Sequence, residues 1–186
     1  MIPTTLFSTQ ESLGTFSFSK LDPINDASTL HAWVTLPYAN FWLMQNYTVK
    51  DVENYYVDFN KKLNNQAYLG FLGDTPCFLI EVYDPKFDQV GEKFEHKPGD
   101  IGLHFLVAPC DAPVSGFTLS IIVALMKFIF SRNDIQRIVV EPDSRNTKLL
   151  ALNKYFNLEM QEIQLKEKMA QLAFFTRANY ENFIGE

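Results

Sequence analysis

A ten-residue stretch, GDIGLHFLVA at positions 99–108, constrains the fold of this chain more than any other segment. Large apolar side chains stand at every second position from Ile101 to Val107, and successive side chains of a strand point to opposite faces of its sheet. The pattern therefore predicts a strand. His104 is the only ionisable side chain inside the apolar run. The residues alone leave a structural and a chemical role for it equally open, because buried histidines are often satisfied by core hydrogen bonds.

The patterns on either side of this strand predict a mixed sheet. Further strands are expected at 15–21, 67–72, 76–83, 136–140, 158–165 and 168–176. Helices are expected after a cap at Asp26 or Ser28, after a cap at Thr48, from Phe117 to about Ser131, and after a cap at Ser144 or Asn146. Residues 84–98 are expected to form a loop. Early strands pair as hairpins and later strands alternate with helices, which is typical of an α/β (α+β) sheet of about seven strands with helices on both faces.

Composition narrows the class of protein and the kind of partner. The 186 residues contain no internal repeat or linker and predict one domain over 1–186. A net charge of -6 without a basic run argues against nucleic acid as a partner. The N-terminal residues lack a secretory pattern, and the longest apolar run, 117–130, is too short and interrupted to span a bilayer. We therefore expect a soluble, cytoplasmic protein with no membrane partner.

The two cysteines, Cys77 and Cys110, offer no metal-binding pattern. Neither belongs to a CxxC pair or to a cluster of cysteine and histidine ligands. Both stand among apolar residues, and we expect both to be small buried side chains rather than a disulfide.

Four short stretches carry a more specific signal than the patterning does. They are His31-Ala32-Trp33 with Pro37 and Phe41-Trp42, then Glu81-Val82-Tyr83, then 99–104 continuing into Leu106-Val107, and finally 137–143 with Asn146. In this order and spacing, and with this element order, the chain resembles the GNAT acyltransferase superfamily, and within it the siderophore-biosynthesis branch. Members of that branch acylate N-hydroxylated amines such as N-hydroxylysine or a hydroxylated diamine. The resemblance implies a GNAT-like domain that forms a hydroxamate.

The resemblance also implies a catalytic pair, His104 and Asp143, facing one site. The co-substrate would be an acyl-CoA, either acetyl-CoA or succinyl-CoA, and the transfer would need no metal. A base must take a proton as the acceptor nitrogen attacks the thioester. Asp143 is preferred as that base, while His104 orients the acceptor or shares the proton. The residues alone also allow Asp143 to be a helix cap or a turn residue after Pro142.

Residues that bind the two substrates follow from the same resemblance. On the coenzyme A side, backbone groups of a strand, the N-terminus of the following helix and two asparagines are expected to contribute: Leu106, Val107, Ser115, Gly116, Phe117, Asn146 and Asn153. On the acceptor side, an apolar sleeve for a methylene chain is expected from His31, Trp33 and Trp42. Core packing is the alternative for both tryptophans.

Two departures from the family pattern keep other functions open. The loop at 109–116, PCDAPVSG, has one glycine and no Arg or Lys, whereas the superfamily's phosphate-binding loop is usually basic and glycine-rich. Asn153 stands where many relatives place a tyrosine that can protonate the leaving thiolate. The alternatives are an aminoglycoside 6'-type N-acetyltransferase and a non-catalytic acyl-carrier-binding or scaffold protein. The expected partner is a small hydroxylamine-type acceptor, and the chain is expected to be a monomer or a homodimer.

Overall fold

The computed structural model describes residues 4–112 and 114–185, and within them eight strands and five α-helices. In chain order the elements are β1 (Thr5–Glu11), β2 (Gly14–Lys20), α1 (Ala27–Val34), α2 (Val49–Lys61), β3 (Gln66–Leu72), β4 (Thr75–Tyr83), β5 (Asp100–Val107), α3 (Phe117–Phe130), β6 (Arg137–Val140), α4 (Thr147–Leu150), β7 (Met160–Gln164), β8 (Met169–Thr176) and α5 (Arg177–Gly185). Short 3-10 helices lie at Pro37–Trp42, Pro85–Phe87, Gln89–Lys93 and Ala151–Tyr155.

Every strand and helix expected from the patterning is present, and two elements were missed. The strand β1 pairs with β2 as an antiparallel hairpin, but its exposed polar residues give only a weak alternation. The helix α5 follows β8 directly and buries no residue fully. The expected loop at 84–98 contains two 3-10 helices. The first residues of the N-terminal segment, Met1–Pro3, and Pro113 of the predicted phosphate loop lie outside the described residues.

The described chain forms two compact units. The first takes in Met1–Val82 and His104–Phe128, and the second takes in Tyr83–Leu103 and Ile129–Glu186. The boundary falls inside β5, so its first residues belong to the second unit and its last residues to the first. The prediction of a single domain over 1–186 stays a prediction.

In the first unit, β1, β2, β3 and β4 form an antiparallel series of neighbouring strands. One face carries an aromatic core, in which the ring of Phe18 stacks on that of Phe128 in α3 at a centroid distance of 4.6 Å. Phe78 packs edge-on against Phe18 at 5.3 Å. Gly70 makes room for this ring, because a Cβ at that position would lie 2.0 Å from Phe78.

The next strand pair places the candidate histidine. The amide of Ala108 donates to the carbonyl of Cys77 at 2.9 Å, and the side chains of His104 and Glu81 meet across the same two strands. Moving forward along β5 thus corresponds to moving backward along β4, so this half of β5 runs antiparallel to β4. Glu81 points to the face opposite Phe78, because the two residues are three positions apart on one strand.

In the second unit, β5 begins as a parallel partner of β6, with Asp100 opposite Arg137 and Gly102 opposite Val139. The strand β8 pairs antiparallel with both β6 and β7. Arg137 donates to Asp100 at 2.6 Å and lies 4.3 Å above the ring of Phe174. The sheet is therefore mixed, as predicted, with eight strands instead of about seven.

None of the helices within 4–112 and 114–185 combines the length and the apolar character that a membrane span requires.

Replacing Gly70 by alanine should destabilise the fold by about 1–3 kcal/mol, because the new Cβ overlaps the buried ring of Phe78. The measurement is the free energy of unfolding from urea denaturation. Gly185→Ala is the matched control, since nothing lies within 4 Å of a Cβ there. Equal free energies of unfolding for Gly70→Ala and wild type would contradict this expectation and show that the Phe78 ring can shift to accept a Cβ at position 70.

Candidate active site

His104 and Glu81 form a side-chain pair across β4 and β5. The distance from His104 Nδ1 to Glu81 Oε2 is 3.0 Å, and the side chains are 38% and 3% exposed. An ionised carboxylate can only accept a hydrogen bond, so in this contact Glu81 accepts from a protonated Nδ1. The pair thus presents a partly exposed histidine with one ring nitrogen held by a buried carboxylate.

Glu81 in turn lies beside the hydroxyl of Tyr56 from α2. Burial, followed by the charge of Glu81, raises the pKa of Tyr56 well above its ordinary value of 10.0. Both Tyr56 Oη and Glu81 Oε1 are buried, and neither makes a hydrogen bond of normal geometry within the described residues. The tyrosine therefore stays protonated and keeps a neutral donor beside a buried carboxylate.

Trp42 is the acceptor-side residue that the fold brings to His104. Its ring meets the imidazole edge-on, with centroids 6.4 Å apart and an interplanar angle of 73°. It ends the 3-10 helix Pro37–Trp42, and the left-handed backbone of Leu43 (φ 57°) turns the chain away directly afterwards. Trp42 is half-buried, which suits a wall that a ligand could touch.

The other two predicted acceptor-side residues have partners within the fold. Trp33 lies in α1 and is only 6% exposed, in keeping with core packing. His31 Nε2 is 2.9 Å from the carbonyl oxygen of Tyr47, an interaction that ties α1 to the segment before α2. Their role in acceptor binding stays a prediction.

The predicted coenzyme A residues of the first unit lie along the end of β5 and at the start of α3. β4 lies along one edge of β5, where the amide of Ala108 donates a hydrogen bond to the carbonyl of Cys77. The carbonyl of Val107 accepts a hydrogen bond from the hydroxyl of Tyr38 at 2.9 Å, and Leu106 is buried. Burial raises the pKa of Tyr38 to about 12, so this hydroxyl stays a donor.

The predicted phosphate-binding segment is exposed at Ser115 and Gly116, and α3 begins at Phe117. Gly116 has a φ of 78°, a left-handed conformation that suits glycine. The segment thus presents helix-terminal backbone amides, without a cationic side chain of its own.

Asp143 lies in the second unit and is held by Arg145. The guanidinium of Arg145 donates to both carboxylate oxygens, at 2.9 and 2.7 Å, and its backbone amide donates at 2.8 Å. These bonds, with the positive charge of Arg145, lower the pKa of Asp143 below its ordinary value of 3.8. The Asp143 side chain is 4% exposed, so the carboxylate is buried, ionised and a weak proton acceptor.

The neighbouring carboxylate of the same motif, Glu141, is also bonded within this unit. It accepts from the hydroxyl of Tyr83 at 3.1 Å, and the ammonium of Lys168 lies 3.4 Å from it. The ammonium also donates to the backbone carbonyl of Glu141 at 2.7 Å. Glu141 is therefore buried and hydrogen-bonded within the second unit.

The two predicted cofactor-binding asparagines of the second unit each make hydrogen bonds inside the chain. Asn146 caps α4 by accepting from the amide of Leu149. The side-chain amide of Asn153 is bonded at both ends to the backbone of Leu158, at 2.8 and 2.9 Å. A contact between either side chain and coenzyme A stays a prediction.

Sequence reasoning assigned no role to Glu81, Tyr56 or Arg145. A signal existed for Glu81, because it is the one charged residue within the apolar strand β4. For Tyr56 and Arg145 the sequence held no comparable signal, since aromatic residues in helices and arginines in turns are ordinary.

The two cysteines differ in their surroundings. Cys77 is buried, and desolvation raises the pKa of its thiol to about 12. Cys110 is exposed, so the expectation that both are buried is wrong for Cys110, which stands in the loop after β5. Across residues 4–112 and 114–185, no group of three or more His, Cys, Asp or Glu side chains is arranged to hold a metal ion.

Residues 22–164 match the family described as an acetyltransferase (GNAT) domain. This match covers most of the chain, so the chain belongs to the GNAT acetyltransferase family, whose members are acyltransferases.

Two curated relatives are distant in sequence. The chain is 23% identical over 173 residues to the N(6)-hydroxylysine O-acetyltransferase of Escherichia coli, covering 91% of this chain and 54% of that protein. It is 31% identical over 107 residues to the N-hydroxyputrescine acetyltransferase of Acinetobacter baumannii, covering 57% of this chain and 51% of that protein. The chain thus spans about half the length of the curated relatives it matches.

Solved structures share the fold at low identity. A protein of Bacillus halodurans described as uncharacterized superposes with a TM-score of 0.87 at 22% identity, covering 96% of this chain and 94% of that one. The aminoglycoside acetyltransferase AAC(6')-Ib, solved in complex with coenzyme A, has a TM-score of 0.78 at 19% identity, covering 90% of this chain and 98% of that one. These likenesses establish the fold.

The Asp143 ion pair should make stability depend on pH. A carboxyl whose pKa is lowered in the folded state stabilises the fold fully above its ordinary value of 3.8, and the contribution disappears as pH falls through the lowered pKa. Asp143→Asn should therefore be less stable than wild type at pH 7, with the difference narrowing below about pH 4. Urea denaturation at several pH values measures this.

A matched control for that experiment is Asp134→Asn. Asp134 pairs with Arg132 at the same two-residue spacing, but both of those side chains are more than half exposed. An exposed pair contributes little to stability, so the control should lose less than Asp143→Asn at pH 7. Equal losses, or a loss at Asp143 that does not change with pH, would contradict the expectation.

Proposed function

We propose that this chain is an acyl-CoA-dependent N-acyltransferase that converts an N-hydroxylated amine to a hydroxamate in siderophore biosynthesis. The observation that carries the chemistry is the pairing of His104 with the buried Glu81 in a GNAT acetyltransferase domain. The class of acceptor is supported by the names of the two curated relatives, one for N-hydroxylysine and one for N-hydroxyputrescine. The co-substrate is acetyl-CoA or succinyl-CoA, and the protein acts in the cytoplasm.

His104 is assigned as the group that takes the proton. In the transfer, the acceptor nitrogen forms a bond to the acyl carbon, the bond from that carbon to sulfur breaks, and coenzyme A leaves as a thiolate. The nitrogen loses a proton, which Nε2 of His104 accepts and later returns to the thiolate through water. A hydroxylamine nitrogen is less basic than an alkyl amine and is largely neutral at pH 7, so a base of modest strength suffices.

Asp143 is the competing candidate for the base. Its three hydrogen bonds from Arg145 and its lowered pKa make it a poorer proton acceptor than His104. The structure thus supports the reverse of the preference drawn from sequence. Asp143, which is paired with Arg145, remains a candidate for the base. Comparison of variants at His104 and Asp143 decides which of the two takes the proton.

The first unit offers groups that fit an acyl-CoA. Pairing with β6 covers Asp100–Gly102, whereas β5 continues to Val107, so the backbone of Leu106 and Val107 is suited to the amides of the pantetheine arm. The amides of Ser115 and Gly116 before α3 suit a pyrophosphate, whereas the amide of Phe117 donates to the carbonyl of Val114 at 3.2 Å and would have to be shared. Binding at Val107 would compete with the hydroxyl of Tyr38 for the same carbonyl, or share it through the second lone pair.

Turnover with hydroxylamines is the direct test of this proposal. The protein with acetyl-CoA or succinyl-CoA and N-hydroxylysine, N-hydroxyputrescine or N-hydroxycadaverine should release free thiol. The product should bind Fe(III) as a hydroxamate, whereas acylation on oxygen would give an ester that does not. Turnover of aminoglycosides alone would support the antibiotic-modifying alternative. Absence of turnover with any acceptor, together with no calorimetric binding of coenzyme A at millimolar concentration, would favour a scaffold role.

Replacement of His104 tests its role as the base. His104→Gln should reduce kcat by roughly 10²–10⁴, because general-base catalysis contributes about this much. The matched control is His96→Gln, which removes a histidine that lies within 3.1 Å of the Gly91 carbonyl in a loop of the second unit. A larger loss in Asp143→Asn than in His104→Gln, with both variants folded, would assign the proton transfer to Asp143 instead.

A further inference from the structure

We propose that Glu81 is a positioning residue for His104, and that it acts by fixing the ring tautomer and stabilising the imidazolium formed when the ring takes a proton. The proposal rests on the proposed function, in which His104 accepts that proton. Glu81 itself touches neither substrate in this assignment; it acts through the Nδ1 bond of 3.0 Å.

The register of β4 and β5 makes this contact a property of the fold. Cys77 lies opposite Ala108 through their backbone hydrogen bond, and counting four residues along each strand places Glu81 opposite His104. Directly opposed residues point to the same face of the sheet and are within side-chain reach. The contact thus holds the ring at Nδ1, and in a neutral ring protonated there the basic atom is Nε2.

Burying the carboxylate of Glu81 costs free energy of solvation. The residue is 2% exposed, and an ionised carboxylate without water must be compensated by hydrogen bonds or by a positive charge. His104 supplies one hydrogen bond when neutral and a full ion pair when protonated. The carboxylate therefore favours the protonated ring, which is the state that forms as the acceptor loses its proton.

Tyr56 completes this arrangement from the other side. Its buried hydroxyl keeps its proton because desolvation and the charge of Glu81 raise its pKa well above the ordinary value of 10.0. The imidazole from β5 and a neutral hydroxyl from α2 both lie beside the carboxylate, while the indole of Trp42 meets the imidazole edge-on. A neutral hydroxyl there leaves the negative charge of Glu81 available to His104.

The tautomer can be tested without any substrate. Long-range proton–nitrogen correlation spectra of the uniformly labelled protein distinguish the two neutral tautomers of an imidazole. The chain has three histidines, and loss of one set of signals in His104→Gln assigns His104. We expect the neutral ring of His104 to carry its proton on Nδ1. A neutral ring with the proton on Nε2 would overturn the proposal, whatever substrate the protein uses.

Kinetics of Glu81→Gln test the effect on catalysis. With the carboxylate neutralised, kcat should fall by about 10- to 100-fold, because part of the rate contribution of the general base is lost. KM should change little. The acid limb of the pH–rate profile should move to lower pH, because a ring without its carboxylate binds a proton less tightly. Glu81→Asp, which keeps the charge, should recover part of the rate.

The matched control for charge removal is Glu11→Gln. Glu11 is another carboxylate with little exposure, paired with Lys127 at 2.8 Å on β1. It should keep wild-type rates and an unchanged pH profile. A Glu81→Gln variant that folds and keeps both would overturn the positioning role. If no hydroxylamine is turned over by wild type, the proposed function fails while the tautomer measurement still decides the role of Glu81.

Discussion

The contact between the buried carboxylate of Glu81 and the imidazole of His104 is the interaction on which the candidate site of the first unit depends. Glu81 loses its water when β4 becomes a central strand, and it must find compensation within reach of its own side chain. The antiparallel register with β5 supplies the imidazole of His104, while the nearby hydroxyl of Tyr56 from α2 stays protonated and adds no second negative charge. A slip of one residue in that register would turn His104 to the other face and leave Glu81 without its partner.

In the second unit the buried carboxylates are paired with arginine or lysine instead of histidine. Asp143 and Glu141 are each compensated by a permanently charged or strongly basic side chain, Arg145 for the first and Lys168 for the second. The pair with Arg145 lowers the pKa of Asp143 and so reduces its tendency to accept a proton. A histidine partner differs because its charge changes near neutral pH. This difference is the physical basis for assigning proton transfer to His104.

Local signals in the sequence were sufficient for most of the fold. Alternating apolar residues identified β5, and the cap expected at Thr48 marked the start of α2 correctly. The strand β1 escaped because its residues are mainly exposed and its stability comes from pairing with β2. The resemblance to a family supplied His104 and Asp143 as a catalytic pair, since nothing in the spacing of two residues 39 positions apart could do so.

The sequence by itself determined the class of fold, the position of His104 on a strand and the family to which the chain belongs. Those properties follow from periodicity and motif order, which are local and readable along one chain. Only the tertiary structure decided which carboxylate pairs with which base, because strand register and helix packing bring together residues such as Tyr56, Glu81 and His104 that are distant in sequence. Burial then sets the energy of each pair, and burial exists only in the folded chain.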